Sequence, residues 1–352
     1  MTLSHTLARI ARAASCLAGT LVLASAGIAS AQPLEDYLAR ADRAVGVVTS
    51  VLERDDAERA ASRTRADPLA LRPELVQARQ RAELADAQAQ EALFEAYVEV
   101  AAAYAQVREA EMQLGIARAG RDLAARGLEV ARLRLERGSA TALEVQTAET
   151  DLAEAERGVN AASDGLALAK DNLEGITGLP LASTEPFERE RFASLRVPDD
   201  DTLAAAAERT PAVLQVTHGL ALAELQVELL DPSFAARSQI DQAALQRDQA
   251  SAGASEARRG MTLLLRSRAN TLGSALDGDR IAQEALSQAY EREAIERRRL
   301  EAGLISELAF DQARLQTLQA ELRAVQAEHA LISAALELQA ATLVPIEGWH
   351  GF

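Results

Sequence analysis

The segment Arg134-Leu135-Glu136-Arg137-Gly138-Ser139-Ala140-Thr141-Ala142-Leu143-Glu144-Val145 has a near copy downstream: Arg299-Leu300-Glu301-Ala302-Gly303-Leu304-Ile305-Ser306-Glu307-Leu308-Ala309-Phe310. Each holds a glycine suited to stop a helix and, three residues later, a hydroxyl residue suited to start another. The glycines lie 303 − 138 = 165 residues apart, and Asp67-Pro68-Leu69-Ala70-Leu71 is echoed by Asp231-Pro232-Ser233-Phe234-Ala235 at 231 − 67 = 164. Two landmarks with nearly one offset imply a duplicated unit, and an internal period is a stronger guide to architecture than local propensity.

Working outward from Gly138, no proline interrupts Pro73 to Arg137, so these 65 residues can run as one helix of ~98 Å at about 1.5 Å per residue. Arg134 and Arg137 fall in its last turn, where cations meet the negative end of the helix dipole. Thr141 to Glu144 reads as a capping box that opens a return helix. On that helix Ala148, Leu152, Ala155, Val159, Ala162, Leu166, Ala169 and Leu173 alternate spacings of four and three, the seam of an antiparallel coiled-coil partner. The second unit repeats the plan, with a helix from about Ser238 to Ala302, a break at Gly303 and Ser306 as the next cap. Leu315, Leu318, Leu322, Val325, His329, Ile332 and Leu336 form its return seam.

Each hairpin has a shorter preceding helix: Leu34 to Ala66, stopped by Asp67-Pro68, and Pro211 to Leu230, opened by Thr210-Pro211. The expected fold is all-α: two tandem repeats of long antiparallel coiled-coil hairpins, with little or no β structure. Its predicted parts are repeat one over 32–178, a proline-rich linker over 179–201, repeat two over 202–343 and a tail over 344–352.

Residues 1–31 read as a secretory signal. Arg9 and Arg12 precede an apolar run, and Ala29-Ser30-Ala31 supplies small residues for cleavage. Cys16, the sole cysteine, lies inside it and stands apart from any good lipidation box. The formal charge of −16 opposes nucleic-acid binding and keeps long alanine-rich rods in solution. Aromatic residues are 3% of the chain, too few for the aromatic girdles of a membrane barrel.

The paired turns make the chain similar to the TolC-like outer-membrane efflux family. Arg-Leu-Glu-x-Gly followed by a small capping residue occurs at both tips. Gly178-Leu179-Pro180-Leu181 closes the first repeat, and Thr210-Pro211-Ala212-Val213-Leu214 opens the second. The similarity covers about Leu34 to Leu343. It implies an exported protein of the periplasm or outer membrane, a trimer of two-repeat protomers around an α-helical tunnel. It further implies tips that meet a periplasmic adaptor joined to an inner-membrane pump. On that analogy Arg134, Gly138, Thr141, Arg299, Gly303 and Ser306 are the docking residues. One departure is expected: the family inserts a strand hairpin at each elbow, and neither Arg65–Leu84 nor Phe234–Leu245 alternates as a membrane strand must.

Several residues carry two readings. Glu144, Glu307 and Asp311 could form an acidic gate, or simply complement helix N-termini. Arg297-Arg298-Arg299 could grip a partner, or sit at a helix C-terminus as cations commonly do. His329 could be a pH-sensitive contact, or a partly exposed packing residue. Trp349 and Phe352 could anchor the tail, or belong to a loose terminus. No metal-ligand spacing, phosphate loop or nucleophile elbow is present, so neither a cofactor nor an enzymatic activity is expected. Two functions compete: a tunnel component of an efflux system, or a coiled-coil spacer of the envelope without a barrel.

Overall fold

The computed structural model describes residues 33–185, 195–231 and 233–344. The chain divides into Met1–Ser30 and Ala31–Phe352, and every described residue lies in the second unit. The signal reading, Cys16 and the tail residues His350, Trp349 and Phe352 lie outside the described residues.

Eight α-helices are present among the described residues, and no strand. They are α1 (Leu34–Leu38), α2 (Val45–Ala66), α3 (Arg72–Glu136), α4 (Ala142–Thr177), α5 (Asp200–Ala207), α6 (Pro211–Leu229), α7 (Arg237–Glu301) and α8 (Glu307–Thr342). The all-α expectation is borne out. α3 and α7 each hold 65 residues and α4 and α8 each hold 36, so the repeats match in length as well as in sequence landmarks.

Length explains the packing. A 36-residue return helix covers little more than half of a 65-residue rod, leaving the rest of the rod to another element. α2 packs on α3 and α6 on α7, filling those remaining stretches. Towards the turns the order of neighbours is α4, α3, α8, α7; towards the elbows α2 and α6 replace α4 and α8, and α3 packs against α6.

Burial separates inner from outer rods. On α4 the seam residues Ala148, Leu152, Ala155, Val159, Ala162, Leu166 and Ala169 are half-buried and Leu173 is buried, while the intervening positions other than Lys170 are exposed. One stripe facing one neighbour is the pattern of an edge helix. α8 instead buries Ala324, Leu331, Ala335 and Leu338 beside its seam members Val325, Ile332 and Leu336, because it is covered by both α3 and α7. α4 and α7 are thus the two edges of the row.

The core lies where the short helices meet the return helices. Tyr37, Val100, Tyr104, Val107, Leu173, Leu203, Leu265, Leu272, Ile332 and Leu336 pack there. The expected continuous helix from Leu34 to Ala66 is corrected: it breaks over Ala39–Ala44 around a short 3₁₀ turn. The break lets Tyr37 reach inward. Its ring lies 5.7 Å from that of Tyr104, and its hydroxyl donates to the Pro180 carbonyl at 3.3 Å. Burial raises the Tyr37 pKa to about 12. Tertiary packing has overridden the helical pattern.

Both described ends of the linker are docked. Leu181 and Leu195 are buried in the core, Thr184 donates its hydroxyl to Glu111 at 2.6 Å, and the Glu185 amide donates to the Tyr104 hydroxyl at 2.7 Å. Asp199 caps α5 by accepting from the Thr202 amide at 2.8 Å. At the elbows Ala66 is followed by α3 after five residues, and Leu229 by α7 after seven. No described helix is long and apolar enough to cross a membrane.

Candidate functional site: the paired turns

Both long rods stop in the same way. The Ser139 amide donates to the Arg134 carbonyl at 2.8 Å and the Gly138 amide to Leu135 at 2.9 Å. Leu304 donates to Arg299 at 2.8 Å and Gly303 to Leu300 at 2.9 Å. These are the two crossed bonds of a Schellman motif, which satisfies carbonyls orphaned at a helix end. The motif needs a left-handed residue, and Gly138 and Gly303 have φ of 70° and 71°. A glycine supplies that conformation without a steric penalty.

The return helices start on side-chain caps. Thr141 Oγ1 accepts from the Glu144 amide at 3.3 Å, and Glu144 Oε2 accepts from the Thr141 amide at 2.5 Å. This reciprocal box holds the Glu144 carboxyl below its usual range, first through the Thr141 backbone bond. Ser306 accepts from the Ala309 amide at 3.2 Å. Residue 309 carries no carboxylate to reciprocate, and Glu307 turns elsewhere.

That acid defines a feature absent from the sequence reading. Arg126, on α3, reaches across to the start of α8 and pairs with Asp311 at 2.7 Å and Glu307 at 3.3 Å. The guanidinium therefore clips one repeat to the other, from 138 − 126 = 12 residues before Gly138 to the start of α8 after Gly303. Its two partners are 181 and 185 positions away, so no local pattern signals it. Glu307 and Asp311 converge on this cation, while Glu144 serves its own helix. Arg299 pairs with Glu296 at 2.9 Å, and Arg297 lies 5.8 Å above the Phe310 ring while also pairing with Glu293 at 2.8 Å. Leu143 and Leu304 are 70% and 71% exposed, which gives each turn one projecting apolar side chain.

A second polar centre lies deeper, between α3 and α8. His329 is buried rather than at the bundle edge, with Nδ1 2.8 Å from Glu109 Oε1. Burial lowers its pKa despite the neighbouring carboxylate, while the His329 bond lowers that of Glu109. Arg108 and Glu328 form a largely buried pair at 3.7 Å. They border an open cleft of about 490 Å³ that also presents Glu111, Tyr290 and Glu321. Tyr290 donates to Glu321 at 2.6 Å, so the cleft's polar groups largely serve one another. Among the described residues no cluster of His, Cys, Asp and Glu could hold a metal ion.

Residues 68–179, from the first elbow to the end of α4, match the family model described as outer membrane efflux protein. Solved structures share the fold over most of the chain. A membrane protein from Pseudomonas aeruginosa is 14% identical with a TM-score of 0.62, over 90% of this chain and 91% of that one. The CmeC outer membrane channel of Campylobacter jejuni is 10% identical with a TM-score of 0.61, over 91% and 87%. The outer membrane protein VceC of Vibrio cholerae is 14% identical with a TM-score of 0.57, over 86% and 95%. No curated protein matches the chain by sequence. These matches bear out the TolC-like resemblance read from the two turns, and the described residues hold no strand, as expected.

Proposed function

We propose that this protein is a TolC-like efflux component whose protomers close into a periplasmic α-helical tunnel. The tunnel works with an adaptor and an inner-membrane pump. The observation that carries the reading is the pair of matching Schellman turns on equal 65-residue rods, in repeats tied to each other by Arg126. Such a rod spans ~98 Å, a length that suits a protein bridging an envelope compartment. α4 and α7, each exposed outside its packed stripe, would pair edge to edge between protomers and close a ring, with trimers expected from the resemblance. Glu144, Glu307 and Asp311 would line the narrow end, and Leu143 and Leu304 would seat in the adaptor beside Arg134, Thr141, Arg299 and Ser306. The protein would be exported and act at the periplasmic side of the outer membrane.

The test is dye accumulation in a deletion strain carrying Leu143→Asp/Leu304→Asp. These exposed positions tolerate charge, so the fold is retained while efflux is lost. Wild-type efflux by the folded variant would refute the docking role. The short elbows favour a second reading, a spacer that tethers envelope layers without a lumen. Light scattering separates the two: a ring of protomers supports the tunnel, and a monomer at every concentration supports the spacer.

A further inference from the structure

The end opposite the turns presents apolar side chains to solvent at both elbows. In the first, Leu69 is 85% exposed and Leu71 64%; in the second, Phe234 is 90% exposed. The two elbows share one end of the molecule, because Arg72 at the start of α3 pairs with Glu228 at the end of α6 at 2.6 Å. We infer that these elbows form a monotopic membrane foot, in which Leu69, Leu71 and Phe234 dip into the interfacial layer of a lipid bilayer.

Three observations favour a bilayer over a protein partner. First, the apolar groups stand on the apices of two turns, not on a flat or concave face. Separate points suit a deformable medium better than a shaped protein surface. Second, the turn backbone is largely self-satisfied. Asp67 Oδ1 accepts from the Leu69 amide at 2.9 Å, and Asp231 Oδ1 from the Ser233 amide at 2.8 Å. The Asp67 carbonyl accepts from Ala70, and that of Asp231 from Phe234 and Ala235. Glu74 takes the Leu71 amide at 3.0 Å. A backbone entering a medium poor in water needs this internal pairing.

Third, the charge fits. The whole chain carries −16, a field that keeps most of its surface away from anionic headgroups. Across residues 62–74 and 226–238, Arg63, Arg65, Arg72 and Arg237 stand against Asp67, Glu74, Glu228 and Asp231, which is 4 − 4 = 0. Those acids are already engaged in the turns or with Arg72. Arg63 and Arg65, exposed in the last turn of α2, can lay their stems along the apolar tips while the guanidinium groups stay at headgroup level. The first connection, Asp67–Leu71, reaches only ~17 Å fully extended against about 30 Å of hydrocarbon. The foot rests on a bilayer and does not cross it. None of this requires the protomers to form a tunnel.

The test floats Ala31–Phe352, the compact unit, with vesicles of phosphatidylcholine, alone or with phosphatidylglycerol. Binding to both is expected. Leu69→Ser/Leu71→Ser/Phe234→Ser should lower the partition coefficient by about tenfold or more, given the apolar area withdrawn. The control Val45→Ser/Val48→Ser/Leu52→Ser, which removes exposed side chains from α2, should not. Because Cys16 lies outside this unit, a Phe234→Cys or Ser139→Cys protein carries one label site. A nitrobenzoxadiazole dye at 234 should shift to the blue on adding vesicles and be quenched by brominated lipid; at 139 it should do neither. The inference is overturned by no binding, by binding confined to anionic vesicles, or by equal loss in the control. It is also overturned if the 234 dye shifts with protein concentration in the absence of lipid, the mark of a second copy on the foot. Unchanged efflux or oligomeric state would leave the foot intact, since neither enters the measurement.

Discussion

Replacing Gly138 by alanine isolates the backbone contribution of one turn. A Cβ at this position would meet nothing within 4 Å, so no packing clash enters. What remains is conformational: φ is +70°, and a non-glycine residue there costs ~1–2 kcal/mol. Alanine also narrows the unfolded ensemble, which returns ~0.4–1 kcal/mol. The net destabilisation is therefore between about 0 and 1.6 kcal/mol, with a midpoint of about 0.8 kcal/mol. Gly303→Ala should match it, because φ is 71° and the space is equally open. Gly138→Asn should cost less, since asparagine visits the left-handed region more readily. Urea unfolding followed by helix circular dichroism gives the global value, and exchange of the Ser139 and Leu304 amides reports each turn locally. A clearly stabilising Gly138→Ala would refute the assigned conformation. A loss beyond about 3 kcal/mol would mean that the turn is packed against something, and a large disparity between the two glycines would contradict their equivalence.

Glu328→Ala should destabilise by about 3 kcal/mol in the same urea assay, because it removes a carboxylate partner of the Arg108 guanidinium from a largely buried site. Acidification should weaken the fold in two steps. The His329 pKa lies below its ordinary 6.5 and the Glu109 pKa below 4.5, so both favour the deprotonated native state. Stability is complete above about pH 6.5, falls first through the histidine window and then below about 4.5 through the glutamate window; thermal melts from pH 8 to 4 should show the upper step vanish in His329→Gln. Thr141→Ala should cost about 1 kcal/mol by urea unfolding, the usual worth of an N-cap, and Ser306→Ala a similar amount; no loss at either would remove the capping role.

Much of the architecture was legible from residue order alone. Gly138 and Gly303 with Thr141 and Ser306 specify where the rods stop and restart, because a left-handed residue followed by a hydroxyl cap is local chemistry. The α4 stripe was readable for a similar reason: an edge helix has one neighbour, and its three-four spacing marks the single face to be buried. α8 shows the limit of that pattern, since a helix between two neighbours buries a second stripe that no single seam announces. The break at Ala39–Ala44 was invisible locally, because it is imposed by Tyr37 seeking Tyr104, 67 residues away. The Arg126 clip was equally hidden, because an exposed arginine on a long helix looks like any other until the opposite repeat is in place.

What the amino-acid order determined by itself is the duplication, the length of each rod and the chemistry of its turns, all set within a few residues or by periodic spacing. Only the tertiary structure decided which rods are edges, which carboxylates meet Arg126, where His329 is buried, and that the elbows present Leu69 and Phe234 together. Those outcomes depend on contacts between segments far apart in sequence, and the energy of such contacts exists only once the rods lie side by side.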